Sequence, residues 1–220
     1  MSGPTGHPFE WWGVPLQLLP ERAVIHERAG ALLLADLHLG KPASFRAGGI
    51  PVPEAVTDGD LDRLGALVSR TGVERLVVLG DLAHDRGALD PATIGRLRSW
   101  RDELRSVRMQ LVPGNHDHRI DDLSTLGFEV LEECHHLEGL DLVHATTGSE
   151  HVPTLGGHVH PRIRIGRTRG ERLRAPCFWF SNRTGVLPAF GSFTGGHVVE
   201  PGREDAVFAV GPDEVVPVAR

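Results

Sequence analysis

The apolar residues of the first half form short continuous runs that alternate with segments of helical periodicity. Runs of this kind are typical of strands covered on both faces of a sheet, and we predict such strands at 31–35, 76–79 and 109–112. Between them, Leu61, Leu64 and Val68 share one face of a predicted helix at 54–70, and Asp90 followed by Pro91 predicts the start of another. This alternation predicts a layered α/β domain with a Gly/Pro-rich loop at 42–53.

The second half has short apolar runs with little helical periodicity between them. We predict strands at 128–131, 140–144, 163–165, 178–180, 185–187 and 207–210, and an edge hairpin near the N-terminus at 16–19 and 23–26. A β-rich half after an α/β half predicts a second sheet packed on the first. We therefore expect a single domain spanning 1–220 of mixed α/β (α+β) class, with a loose lead-in at 1–12.

Composition narrows the class of protein. No apolar run approaches the roughly 20 residues that a bilayer span needs, and the N-terminus lacks a signal-peptide pattern, so we expect a cytoplasmic protein without membrane contact. Cys134 and Cys177 are expected to be ordinary thiols. The net charge of −6 argues against a polycation that coats nucleic acid. It allows a nuclease, because bound metal ions reverse the local sign.

Acidic, asparagine and histidine side chains follow the predicted strands, in a chain with 13 histidines. Ligands collect at the carboxyl ends of strands in such sheets, so these side chains can meet in one place. Seven of them supply the carboxylate, amide and imidazole groups that a pair of divalent metals needs. We predict Asp36, His38 and His160 at one metal, Asn115, His144 and His158 at the other, and Asp81 between them.

Each of these residues also has an ordinary structural explanation. An aspartate at a strand end can cap a turn, Asn115 can form an Asx turn, and His144 can be a buried core histidine. The metal hypothesis is favoured because one site explains all of them in this order. For the lone histidine ligand, His151 is the runner-up to His144, ahead of His135 and His136.

The order Asp-x-His, Gly-Asp, Gly-Asn-His-Asp, a lone His and Gly-His-x-His across 36–160 resembles the calcineurin-like metallophosphoesterase superfamily. The resemblance implies a four-layer αββα sandwich and two divalent ions, most often Mn²⁺, with Fe²⁺, Zn²⁺ or Mg²⁺ as alternatives. It also implies that His116 binds no metal but lies over the phosphate and protonates the leaving oxygen. We expect Asp117 or Asp85 to hold the His116 tautomer.

His84 stands where many phosphatases of the superfamily have an aspartate three residues beyond the bridging one. Gly-Asp-Leu-x-His instead resembles the DNA repair nucleases of the superfamily, in which this second histidine faces the phosphate. An imidazole suits a phosphodiester because it avoids the repulsion of a second carboxylate. The alternative is that His84 is a loop residue bonded to Asp85 or Asp117.

The segment 176–196 is similar to the bacterial ligase-associated DNA damage response endonucleases, as are Gly40-Lys41 and Gly157-His158-Val159-His160-Pro161. This similarity implies a manganese-dependent phosphodiesterase that acts on DNA, most readily single-stranded, in repair beside a ligase and a helicase. We call residues 186–196 the closing segment. We expect this Gly-rich segment to be a turn with buried aromatics rather than a substrate contact.

Arginines follow Gly-His-x-His at positions 162, 164, 167, 169, 172 and 174. Arg162 and Arg164 could guide a nucleic-acid backbone, but the alternation favours the solvated face of a hairpin. With eight Phe, four Trp and no Tyr, few base contacts are expected. The rival functions are a phosphomonoesterase or small-nucleotide phosphohydrolase, and an inactive scaffold of the same fold. The scaffold is disfavoured because every expected ligand and His116 are present.

Overall fold

A computed structural model describes residues 6–50, 52, 55–84, 89–120, 123–146, 151–166 and 173–218. Its first sheet has seven strands whose spatial order is their chain order. These strands are β1 (His7–Trp11), β2 (Val14–Leu19), β3 (Ala23–His26), β4 (Ala31–Leu34), β5 (Arg75–Leu79), β6 (Arg108–Val112) and β7 (Glu129–Val130). The pairs from β1 to β4 are antiparallel, and those from β4 to β7 are parallel.

In the residues that the structure describes, three α-helices connect the parallel strands. They are α1 (Lys41–Ala47), α2 (Ala55–Thr71) and α3 (Pro91–Glu103). Asp90 caps α3, because its side chain accepts a hydrogen bond from the Thr93 amide at 2.7 Å. Two single turns of 3-10 helix follow β6, at Asp117–Arg119 and Leu123–Leu126.

The second sheet has nine strands and contains both parallel and antiparallel pairs. Its strands are β8 (Cys134–Leu137), β9 (Leu140–Val143), β10 (Thr154–Gly156), β11 (Pro161–Ile165), β12 (Leu173–Ser181), β13 (Thr184–Val186), β14 (His197–Val198), β15 (Ala206–Val210) and β16 (Val215–Pro217). Seven of them pair in the spatial order β14-β11-β12-β13-β10-β9-β8. In addition, β15 pairs with β12 and with β16.

The two sheets stack on a shared apolar core, which includes Leu33 and Val77 of the first sheet and Leu142, Phe178 and Phe180 of the second. A separate cluster joins the outer face of the first sheet to α2 and α3. The outer face of the second sheet packs instead against Val199 and Val218 of the C-terminal part. The predicted pair of stacked mixed sheets is confirmed. Within the described ranges, helices cover only the first of these sheets.

Two local predictions need correction. Residues 7–11 of the expected loose lead-in form β1, because Phe9 and Trp11 pack against Phe180 with ring centroids 4.7 and 5.1 Å away. The segment predicted as a loop at 42–53 includes all of α1 except Lys41. This helix has a proline in its first turn and Gly48 as its C-cap. Residues 51, 53 and 54 lie outside the described ranges. The described helices include none that is long and apolar enough to span a membrane.

Candidate metal centre

Two parallel neighbours, β4 and β5, deliver Asp36 and Asp81 side by side. Each aspartate follows the end of its strand, and both are buried, at 0% and 3% exposure. The Asp36 amide donates to the Gly80 carbonyl at 3.1 Å, and the His38 amide donates to the Asp81 carbonyl at 2.9 Å. These bonds extend the parallel ladder past the strand ends, so the two carboxylates approach each other at the edge of the sheet.

The backbone is strained at five of the predicted ligands. Asp36, His38, Asp81, His158 and His160 all have positive φ, between 49° and 69°. For residues other than glycine this region is sparsely populated and costs on the order of 1–3 kcal/mol each. Such strain persists only where the surroundings enforce it, and it clusters at functional sites.

The first cluster consists of Asp36, His38 and His160, whose ligand atoms lie within 4.8 Å of one another. The Nε2 atoms of His38 and His160 are 3.4 Å apart, and His160 Nε2 is 3.3 Å from Asp36 Oδ1. Two imidazole nitrogens and a carboxylate oxygen that converge in this way form one side of a cation site.

The second cluster centres on His144. Its Nε2 lies 3.0 Å from Asn115 Oδ1, 3.1 Å from His158 Nδ1 and 3.5 Å from Asp81 Oδ1. Its Nδ1 lies 3.1 Å from the Leu79 carbonyl oxygen, which can only accept, so Nδ1 carries the proton and Nε2 has a free lone pair. The structure therefore brings His144 into the site.

Asp81 connects the two clusters. Its Oδ1 faces His144, while its Oδ2 lies 3.7 Å from His38 Nε2 of the first cluster. Oδ1 also accepts the His116 amide at 3.0 Å, which fixes the carboxylate plane. This geometry places Asp81 where a carboxylate shared by two cations would lie.

Three glycines make room for these ligands. A Cβ at Gly80 would overlap the His144 ring, and one at Gly114 would overlap the Asp81 side chain. A Cβ at Gly157 would overlap the Asp36 carboxylate. The Gly-Asp, Gly-Asn and Gly-His dipeptides of the sequence thus have a steric reason.

The donor set fits divalent metals. Burial, reinforced by the charge of Lys41 and by electrostatic interactions with His160, His116 and His84, lowers the pKa of His38 to about 2. A neutral imidazole is the form that binds a metal. Two buried carboxylates, four imidazoles and an amide oxygen match the preferences of Mn²⁺, Fe²⁺ or Zn²⁺, and the seven predicted ligands would hold the ions.

His84 and His116 lie at the edge of the first cluster. Their rings stack with centroids 5.1 Å apart and planes at 24°, and their nitrogens lie within 4.8 Å of a His38 nitrogen. His116 Nδ1 hydrogen-bonds to the backbone carbonyl of His84. Because a carbonyl accepts, Nδ1 is protonated, and the other nitrogen, Nε2, points to within 3.9 Å of Asp81 Oδ2.

The expected partner of His116 needs correction. Asp117 does not hold its tautomer, because the Asp117 carboxylate accepts from the amides of Gly114 at 2.9 Å and Ala83 at 3.4 Å. Burial raises the pKa of Asp117 to about 6, assisted by repulsion from Asp81 and opposed by these hydrogen bonds. Asp117 therefore fastens the two ligand loops to each other. Asp85 lies outside the described residues.

The other candidates lie apart from the clusters. The His151 carbonyl accepts from Arg183, and His136 pairs with Asp141 at 2.9 Å. Arg162 and Arg164 are on β11, with Arg164 exposed, and neither has a described contact with the metal-site residues. Arg167, Arg169 and Arg172 lie outside the described ranges.

Asp60, which was not among the residues predicted from the sequence, positions the closing segment. This buried residue of α2 accepts the Ser192 amide at 2.9 Å and the Ser192 hydroxyl, and it pairs with Arg63 at 3.1 Å. The adjacent Gly191 amide donates to the Asp36 carbonyl at 3.1 Å. One signal was available, because Asp60 lies four residues before Leu64 and so shares the apolar face of the helix.

The stacked sheets and the two clusters of Asp, Asn and His side chains are those expected of a metal-dependent phosphoesterase, and comparison with known proteins indicates the same class of enzyme. A family model described as calcineurin-like phosphoesterase matches residues 31–182. The chain therefore belongs to the calcineurin-like phosphoesterase family, and it is a metal-dependent phosphoester hydrolase.

Among solved structures, the chain is similar to the Pseudomonas putida nuclease MPE, with 36% identity and a TM-score of 0.84. That match covers 97% of this chain and 100% of the other. The chain also matches Yfce, a phosphoesterase from E. coli, at 17% identity and a TM-score of 0.43, over 86% of this chain and 98% of the other. The curated proteins gave no match.

Proposed function

We propose that this protein is a manganese-dependent endonuclease that hydrolyses phosphodiester bonds of single-stranded DNA in DNA repair, in functional association with a DNA ligase and a helicase. The support from comparison is the similarity to a bacterial nuclease over nearly the whole of both chains. Within the site, the observation that carries the proposal is the stacked pair of His84 and His116 beside the first cluster.

This pair favours a diester substrate. A phosphodiester carries one negative charge on its non-bridging oxygens, and two imidazoles can hydrogen-bond it without the repulsion that a carboxylate would add. The Nδ1 proton of His116 is committed to the His84 carbonyl. In the doubly protonated ring, it is therefore the Nε2 proton that passes to the leaving sugar oxygen, and the neutral imidazole remains. His84 then contacts a non-bridging oxygen from the side opposite the ligands.

The seven predicted ligands would hold two cations on the other side of the phosphate. When bound, the ions supply charge neutralisation at the phosphate oxygens and activation of a water for in-line attack. The chain itself aligns the carboxylates through the β4–β5 ladder and keeps His38 neutral. Sugar release depends on the proton from His116.

Circular single-stranded DNA tests the proposal. The purified protein is incubated with circular and linear strands while manganese, magnesium, calcium and zinc are supplied in turn. We expect manganese to support linearisation of the circles, because only an endonuclease opens a strand without ends. Intact circles with every metal, alongside digestion of linear strands, would reject the endonuclease.

A pair of small substrates separates the diesterase from the monoesterase alternative. Bis(4-nitrophenyl) phosphate and 4-nitrophenyl phosphate share a leaving group but differ in charge at the phosphate. We expect the diester to have the higher kcat/KM. A preference for the monoester would favour a phosphomonoesterase, and absence of turnover of both would favour an inactive scaffold.

A further inference from the structure

Two half-buried phenylalanines lie beside the metal centre, on segments far apart in sequence. The rings of Phe45 in α1 and Phe193 in the closing segment meet edge to face, with centroids 5.3 Å apart and planes at 89°. The Phe45 ring is 6.4 Å from that of His84, and Phe193 lines a small cavity together with His38. Phe190 of the closing segment is buried, as the sequence predicted, whereas Phe193 is partly exposed.

Neither ring serves the hydrophobic core. The three buried apolar clusters of the described residues contain neither Phe45 nor Phe193. Partial exposure of two large apolar rings reduces the hydrophobic stabilisation that full burial would give. Their position beside His84 and His38 therefore points to a use at the site.

The closing segment holds Phe193 in place. Ser192 is fixed by its amide and hydroxyl on Asp60, Gly191 donates to the Asp36 carbonyl, and the Thr194 hydroxyl donates to the Gly191 carbonyl at 2.8 Å. Residues on both sides of Phe193 are thus hydrogen-bonded to the segment or to the site. A ring fixed before binding loses little conformational entropy when a ligand stacks on it.

Helix α1 places a cation next to the aromatic pair. Lys41 precedes Phe45 by four residues, so both side chains lie on one face of the helix. The Lys41 amide donates to the His38 carbonyl at 3.2 Å, so α1 begins beside the first cluster. Burial lowers the pKa of Lys41, while the charges of Asp36 and Asp81 oppose this shift. Lys41 is the one lysine of the sequence.

A cation followed by aromatic rings matches the repeating chemistry of a nucleic-acid strand. Phosphates bind cations, and bases stack on aromatic faces without strong sequence preference. We propose that Phe45 and Phe193 form a stacking subsite for a nucleobase next to the scissile phosphate, and that Lys41 binds the phosphate adjoining that nucleotide. This inference rests on the proposed nuclease function and adds the groups that hold the strand.

The test removes either the bases of the DNA strand or one phenyl ring of the protein and measures the effect on binding. Fluorescence anisotropy measures the affinity of an oligothymidylate of about 12 residues, and of an abasic strand of the same length, for the His116→Ala protein with manganese. Addition of Phe193→Ala or Phe45→Ala should weaken binding of the oligothymidylate by about 5-fold to 150-fold. Binding of the abasic strand should change little, because it has no base to stack.

Further variants distinguish a stacking surface from a space-filling side chain. Phe193→Trp should keep the preference for the thymidylate strand, whereas Phe193→Leu should lose it although it is also apolar. Trp12→Ala is the matched control, since Trp12 is 50% exposed and bonds to the Asn182 carbonyl away from the site. In an otherwise wild-type background, Trp12→Ala should hydrolyse methyl 4-nitrophenyl phosphate, which has no base, at the wild-type rate.

Lys41 is tested by charge. Lys41→Met should weaken binding of both strands by a similar factor and reduce the salt dependence of affinity by about one counterion.

Two results would overturn the stacking subsite. One is an equal loss of affinity for the thymidylate and abasic strands in the phenylalanine variants, and the other is full retention of the base preference in Phe193→Leu. If the wild-type protein with manganese cleaves no DNA, the nuclease proposal fails and the subsite fails with it. If it cleaves DNA while the base preference survives both alanine variants, only the subsite fails.

Discussion

Asp81 is the residue on which both ligand clusters depend, because its two carboxylate oxygens face different clusters. We expect Asp81→Ala to abolish binding of at least one ion and to reduce hydrolysis to background. Isothermal titration calorimetry with manganese measures the stoichiometry directly. Two ions bound to this variant with wild-type affinity would contradict the shared position of Asp81.

His116 has a different expected phenotype, since it belongs neither to the cluster of Asp36, His38 and His160 nor to the cluster centred on His144. Its ring nitrogen instead lies near those of His38 and His84. His116→Ala should keep both ions yet reduce kcat by roughly two to four orders of magnitude, as expected for a lost general acid. His136→Ala is a suitable control, because His136 is exposed and pairs with Asp141. Near-wild-type turnover of the His116 variant would remove this residue from the mechanism.

At the scale of secondary-structure elements, the ends of strands position the ligands, and glycines permit their approach. Gly157→Ala, just after β10, should displace the Asp36 carboxylate and weaken manganese binding, because the added Cβ would overlap it. Gly95→Ala is the matched control, since a Cβ there meets nothing within 4 Å and Gly95 lies in α3. The control should be neutral or stabilise the fold by up to about 1 kcal/mol.

The affinity for manganese reports the displacement of Asp36, and the free energy of unfolding reports the change in stability of the fold, so the two effects can be measured separately. We expect Gly157→Ala to lower the affinity measured by calorimetry, and Gly95→Ala to leave it unchanged. If Gly157→Ala binds manganese as tightly as the wild-type protein does, the close approach of Gly157 to Asp36 has no functional role.

The strands that the sequence predicted are those with an unambiguous local signal. The runs before Asp36 and Asp81 are apolar throughout and correspond to β4 and β5, because central parallel strands are covered on both faces. By contrast, β1 was missed, since it is short, contains Pro8 and lies in a Gly/Pro-rich terminus. Its stability comes from Phe180 and Phe208 of the other sheet, which the local pattern does not contain.

At the scale of the whole molecule, His26 of β3 lies where the first sheet meets the β8–β9 turn of the second. Burial lowers the pKa of His26 from 6.5, and the charge of Arg28 adds a smaller contribution in the same direction. Interactions with the backbone of Leu137 and Glu138, and with the charge of Glu138, act in the opposite direction and raise this pKa. Below about pH 6.5 the unfolded chain therefore binds a proton at this histidine that the folded protein does not bind. Stability should fall as the pH drops below 6.5.

The contribution of His26 is measured as a difference. Urea unfolding of wild-type protein and His26→Leu, both with chelator, gives the free energy of unfolding at several pH values. The wild-type slope should exceed that of the variant by at most about 1.4 kcal/mol per pH unit, the limit for one proton. Equal slopes would show that His26 titrates alike in the folded and unfolded states.

The amino-acid sequence by itself determined the kinds of candidate ligand, their order and the strands that deliver them. These features are local, because an apolar run, a glycine and a following aspartate are neighbours in the chain. The motif order also sufficed to indicate the metallophosphoesterase family, which the comparisons show.

Only the tertiary structure decided which distant groups meet. It placed His144 beside Asn115 and His158, gave His116 the His84 carbonyl instead of Asp117 as its partner, and joined Asp60 to Ser192. It also brought Phe45 and Phe193 together across more than a hundred intervening residues. Such contacts depend on sheet register and on the packing of one sheet against the other, and no periodicity along the chain encodes either.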